Sequence, residues 1–149
     1  MVRSKNPVKT PCIGVCSTGI GDSVCRGCKR FCHEIIDWNS YGIEQQDAVL
    51  KRLQLLLGQV VRDKFIVLNE VRLKAQLQHQ QIRYNSQLDS YCWIFDLLNA
   101  GASQIQDFAE FGIAVNSQWT HKTPLELREL IDADFYALSC AHYQRYFLM

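Results

Sequence analysis

Long hydrophobic runs are missing from this sequence. The most apolar window, "LQLLLGQVVRDKFIVL", is broken by Gln54, Gly58, Gln59, Arg62, Asp63 and Lys64, short of the ~18 consecutive apolar residues that a membrane span requires. The opening "MVRSKNPVKT" has basic residues but no apolar stretch behind them of the kind an export signal uses, and Pro7 and Pro11 interrupt it. The expectation is a cytoplasmic protein that binds no membrane. Enzyme signatures are also scarce. "GIGDSVCRGCK" lacks the strand and helix that a phosphate-binding glycine loop needs, and neither a nucleophile elbow nor a histidine–glutamate zinc-protease motif occurs. Asp132 and Asp134, two apart on an expected helix, do not face each other as an acid/base pair. No catalytic residue is assigned, and the expectation is a protein that is not an enzyme.

What is present fits a folded chain. With 48% hydrophobic and 21% charged residues a core can be built, and 149 residues suit one domain or a small module joined to a larger one. No internal repeat, low-complexity tract or convincing strand is visible. "FCHEIIDW" reads as one or two helical turns and residues 39–42 as a break. In "IEQQDAVLKRLQLLLGQVVRDKFIVLNEVRLKAQLQHQQI", Val49, Leu53, Leu56, Val60, Val67 and Val71 keep helical spacing, with Gly58 a point of division. A further helix is expected over 88–99, a short one ending near Gly112, and a last one whose start is marked by Thr123 as N-cap, Pro124 at the first position and Glu126 completing a capping box. Its apolar positions are Leu127, Leu130, Ile131, Phe135 and Leu138, and the aromatic run "DFYALSCAHYQRYF" reads as a face that docks on the core or on a partner.

Cysteine is concentrated. Four of the seven fall as Cys12-x3-Cys16-x8-Cys25-x2-Cys28, with Cys32 and His33 one helical turn further on. Two close pairs joined by a glycine-containing loop are the usual way to converge four thiolates on one centre. Disulfides would need an oxidising compartment, which the absence of an export signal argues against. Burial of free thiols does not account for five cysteines amid glycine and charge, although it does account for Cys92 and Cys140 on expected helices. His79, His121 and His142 are scattered.

The physical case is one of missing apolar surface. Residues 11–30 are too polar to offset an ordering entropy of ~1–2 kcal/mol per residue, whereas structural zinc supplies ~10–16 kcal/mol in small peptides. Basic residues add to the case: residues 1–33 carry six cations against Asp22 alone, a balance of +5, so the remaining 116 sum to −4. Arg26, Lys29 and Arg30 lie between or just after the second pair, where cations favour thiolates over thiols. Four cysteines serve zinc and iron–sulfur clusters alike, and the spacing leaves that choice open.

"PCIGVC", "CRGCKR" and "EIIDW" together resemble the bacterial family known as domain of unknown function 1289, described as predicted iron–sulfur proteins, over residues 11–57. The resemblance implies Cys12, Cys16, Cys25 and Cys28 as ligands, with Trp38 packing on the module and the "IEQQDAVLKRL" helix following. It implies an iron–sulfur cluster, and no enzymatic activity follows from it. Cys32 departs from the family pattern and, with His33, stands as an additional or alternative ligand.

The expectation is an all-α protein: a basic tail over 1–10, a cysteine-rich module over 11–42 clipped by an iron–sulfur cluster or Zn2+, and a helical domain over 43–149 containing one long helix. As function, a non-enzymatic metal- or cluster-binding protein is expected, with an unidentified protein partner left open. The alternatives are a zinc module that meets nucleic acid through Arg26, Lys29 and Arg30, and an electron-transfer partner of an oxidoreductase.

Overall fold

The computed structural model describes residues 11–13 and 16–147; the tail expected over 1–10 lies outside the described residues. The elements are α1 (Cys32–Asp37), α2 (Ile43–Lys64), β1 (Phe65–Val67), α3 (Glu70–His79), α4 (Ser90–Gly101), β2 (Ile113–Val115) and α5 (Pro124–Phe147), linked by short 3-10 turns. Among the described residues, no helix is long and apolar enough to cross a membrane.

Helix α2 follows the expected stripe through Val49, Leu53, Leu56 and Val60, all buried, and it does not divide at Gly58. The Arg62 side chain folds over that position, 3.2 Å from where a Cβ would stand. Beyond Val60 the expectation fails. The helix ends at Lys64, and Phe65–Val67 becomes a strand paired antiparallel with β2, Phe65 opposite Val115 and Val67 opposite Ile113. The protein is therefore mostly helical and not all-α. Phe-Ile-Val favours extended backbone, yet three residues are too few to show a period of two, and the pairing segment is remote in sequence. Val71, 79% exposed, leaves the stripe; α3 buries Leu73 and Leu77 instead.

The element ends are closed by side chains. Asn116 donates from Nδ2 to the Asp63 carbonyl at 2.8 Å and from its backbone N–H to the Lys64 carbonyl at 2.8 Å, satisfying the end of α2. Asn69 caps α3 and Asp89 caps α4, accepting from the backbone N–H groups of Arg72 and Tyr91. The capping box of α5 is formed: Thr123 N–H donates to Glu126 Oε1 at 2.9 Å, and Glu126 N–H to Thr123 Oγ1 at 3.1 Å. The helix expected before Gly112 is the 3-10 turn Phe108–Phe111. Gly112 ends it at φ +70°, and a Cβ there would lie 2.6 Å from the Asn69 carbonyl oxygen, so only glycine fits.

The chain divides into two units. One comprises the chain to Leu56 together with the chain from Phe135 onward, and the other is Leu57–Asp134. The second unit is held by apolar packing: Leu73, Ile94, Leu98, Ile113, Leu127 and Ile131 are buried. It also buries Lys64, whose ammonium pairs with Asp134 at 2.6 Å and Asp63 at 3.4 Å and lies 4.9 Å from the Trp119 ring centroid.

Asp96 on α4 makes this unit pH-sensitive. Burial raises its pKa from 3.8 to about 6, opposed only in part by the Asn85 backbone N–H. The folded state then retains a proton that the unfolded chain releases, so stability falls as pH rises from about 4 to about 6. Asp96→Asn is expected to stabilise the protein at pH 7 by about 1–2 kcal/mol, an advantage that disappears at pH 4. Urea melts of both proteins at the two pH values check this; an equal difference at both refutes the assignment.

Candidate metal centre

The second cysteine pair is shaped by backbone hydrogen bonds. Val24 and Phe31 form an isolated antiparallel bridge. Inside it, Cys25 N–H donates to the Arg30 carbonyl at 2.9 Å and Lys29 N–H to the Cys25 carbonyl at 2.9 Å, and outside it Cys32 N–H donates to the Ser23 carbonyl at 2.8 Å. Closing so tight a loop puts Lys29 in the left-handed region, φ +67°, a conformation that costs a side-chain-bearing residue about 1–2 kcal/mol. The return is a knuckle whose amides face sulfur.

Cys25 is 1% exposed and Cys28 7%. Burial opposes ionisation of Cys25, but the backbone N–H groups of Cys28, Ser17 and Gly27, helped by the Cys28 thiol, outweigh it and bring the pKa from 9.0 to about 7. Ser17 belongs to the 3-10 turn Ser17–Ile20, which is tied to the knuckle where Arg26 N–H donates to Ser17 Oγ at 2.8 Å. At Cys28 burial prevails and raises the pKa, although Arg30 Nε donates to its sulfur at 3.2 Å. One thiol is thus poised to carry charge, and its neighbour has a cation in contact.

The three basic residues have specific places. Arg30, 4% exposed, lies with its guanidinium 4.8 Å from the Trp38 ring centroid. Trp38 is itself buried, as the resemblance implies. Lys29, 2% exposed, donates to the Gly27 carbonyl at 3.1 Å and stands 5.4 Å from the Phe135 ring centroid. Arg26 is exposed, pairs with Asp22 at 3.2 Å and lies 4.8 Å from the Tyr136 ring centroid. Buried as they are, Lys29 and Arg30 offer little surface to a phosphate backbone. Their charge is turned inward.

The other expected ligands are less buried. Cys12 and Cys16 are exposed and Cys32 is half-buried; Cys16 Sγ is 2.9 Å from Thr18 Oγ1. His33 stacks edge-on against Phe147, ring centroids 5.0 Å apart. Among the described residues, no three His, Cys, Asp or Glu side chains stand together as a metal-holding group.

A neighbouring group escaped the sequence reading. Glu34, 5% exposed, accepts from Phe31 N–H at 2.8 Å and from both terminal nitrogens of Arg52, at 2.5 and 2.8 Å. The same guanidinium lies 4.0 Å from the Phe31 ring centroid. Glu34 at the third position of α1 signals a helix start, but nothing in the sequence links it to an arginine one helix further on.

Residues 10–56 match the family model described as "Protein of unknown function (DUF1289)". The expected resemblance is met over the N-terminal part of the chain. The DUF1289 segment takes in both cysteine pairs, Trp38, Glu34 and Arg52, and ends within α2. No curated protein and no solved structure matches the chain.

Arg52→Ala is expected to destabilise the unit holding the knuckle by about 2–4 kcal/mol, because it leaves the Glu34 carboxylate buried without its cation. Amide exchange over residues 24–38 reads the loss; protection unchanged from the wild type refutes it.

Proposed function

We propose that the DUF1289 segment is a thiolate centre that binds an iron–sulfur cluster or Zn2+ without catalysing a reaction, and that the bound group organises the cysteine-rich module. Cys25 and Cys28 are the preformed half. Cys12 and Cys16, exposed and with three residues between them, provide the second half when metal is present. The observation that carries this reading is the Cys25–Cys28 knuckle. Its backbone N–H groups converge on a buried sulfur whose pKa falls to about 7, the arrangement that favours thiolate over thiol and hence ligation.

Each residue has a definable role. The amides of Gly27, Cys28 and Ser17 favour the anionic form of the Cys25 sulfur, and Arg30 offsets charge on the Cys28 sulfur from 3.2 Å. Trp38 keeps the Arg30 guanidinium in place. A bound cluster supplies reversible one-electron chemistry, and bound zinc supplies folding energy alone. A dithiol exchanging with disulfides is a weaker reading of the same pair, because exposures of 1% and 7% hinder an attacking thiol.

Anaerobic purification with metal and sulfide analysis tests the proposal. A brown protein containing iron and sulfide identifies a cluster, and a colourless one with about one equivalent of zinc identifies a zinc site. Cys12→Ser, Cys16→Ser, Cys25→Ser and Cys28→Ser should each lower metal content by about tenfold or more, while Cys92→Ser leaves it unchanged. Metal-free wild type under both iron- and zinc-replete expression would refute the centre; equal content in all five variants would refute its ligands.

A further inference from the structure

The basic residues beside the knuckle's thiols meet a segment remote from them in sequence. Residues 135–147 of α5 meet the DUF1289 segment through a series of ring contacts. Phe135 lies under the Lys29 ammonium and Tyr136 under the Arg26 guanidinium, at 5.4 and 4.8 Å from ring centroid to charge. Tyr143 and Phe147 pack edge-on against Phe31 at 5.2 and 5.5 Å, and Phe147 also meets His33 at 5.0 Å. Residues 135, 139 and 143 recur every four positions and so share one helix face. Between the two aromatic contacts on that face sits Ser139, 0% exposed, its hydroxyl without a hydrogen-bond partner.

We propose that residues 135–147 are a separable cover over the Cys25–Cys28 knuckle, and that the docking of this cover gates chemical access to the two thiols. The contacts are cation–ring and edge-on ring contacts, individually modest. Phe147 remains half-exposed at 52%. The unmet Ser139 hydroxyl penalises the docked state further, since water would satisfy it on release. A cover so held opens more easily than an apolar core does. Docking and the state of the thiols are then reciprocally linked: whatever enlarges or displaces the knuckle favours release, and whatever fastens it favours docking. The inference does not rest on a bound metal, because it concerns access to sulfur in the metal-free chain.

Pulsed iodoacetamide labelling of the full-length, reduced, metal-free protein, read peptide by peptide, tests it. Exposed Cys16 is the internal standard, and Cys92, buried in the second unit at 1% exposure, reports global opening. In Tyr143→Ser/Phe147→Ser, Cys25 and Cys28 should label on the order of tenfold faster than in the wild type, with Cys16 and Cys92 unchanged. Rates for Cys25 and Cys28 that stay put, or rise only in step with Cys92, overturn the proposal. A measurement on the wild type keeps the test independent of how the variant folds. With increasing denaturant, Cys25 labelling and amide exchange over 139–143 should report one shared opening, of lower free energy than that of Cys92; separate openings overturn the proposal. Failure here with metal still bound in the wild type would remove the cover and leave the centre standing.

Discussion

A sulfur withdrawn from water and yet able to bear charge is the constraint on which the first unit depends. Charge on a buried atom is tolerated only where fixed dipoles replace the lost solvent. At Cys25 those dipoles are backbone amides, and amides converge on one sulfur only if the chain turns sharply around it. The left-handed Lys29, the Val24–Phe31 bridge and the tie from Arg26 to Ser17 are consequences of that turn. In such surroundings hydrogen bonds gain strength from the low dielectric that penalises an unmatched charge.

The same unit buries or half-buries cations, and each is matched with a ring. Arg30 has Trp38, Lys29 has Phe135 and Arg52 has Phe31 as well as the Glu34 carboxylate. Aromatic faces accept a cation without demanding a counter-charge, so the guanidinium that reaches Cys28 can be held without neutralising it. An acidic partner in Trp38's place would cancel the field that Arg30 directs at sulfur. The second unit is built differently, on aliphatic side chains with almost no exposure; its one buried cation, Lys64, is paired with carboxylates. Carboxylates neutralise Lys64 there, as Glu34 does Arg52 in the first unit, whereas the charge of Arg30 is directed at sulfur.

These differences set what was legible in the sequence. The capping box at Thr123 and Glu126, the α2 stripe from Val49 to Val60 and the DUF1289 motif are local patterns, written in residues a few positions apart, and all three were readable. The β1–β2 pairing was not, because three-residue strands carry no period and their partners are remote. The burial of Lys29 and Arg30 was hidden for a related reason: a basic residue in a glycine-rich loop reads as solvated unless its ring is known, and one of those rings, Phe135, comes from the far end of the chain. The aromatic run in the last helix was legible as a docking face, but what it docks against was not. Cysteine spacing pointed to four sulfurs on one centre; the structure brings Cys25 and Cys28 together and leaves Cys12 and Cys16 exposed.

Two cysteines show why residue type and burial do not by themselves define a site. Cys25 and Cys92 are each 1% exposed, and burial penalises the thiolate of both. Around Cys25 the remaining influences are amide donors and a second thiol, which bring its pKa to about 7. Around Cys92 they are chiefly the carboxylates Asp89 and Asp96, with Arg62 in partial opposition, and the pKa rises to about 12. A thiol near 12 remains protonated at any physiological pH and behaves as a small apolar group, whereas one near 7 is divided between thiol and thiolate and is available as a ligand. Such environments differ by the direction in which a few backbone N–H groups point. In this chain that direction is set by the turn from Cys25 to Arg30 and by the Ser17 amide brought against it.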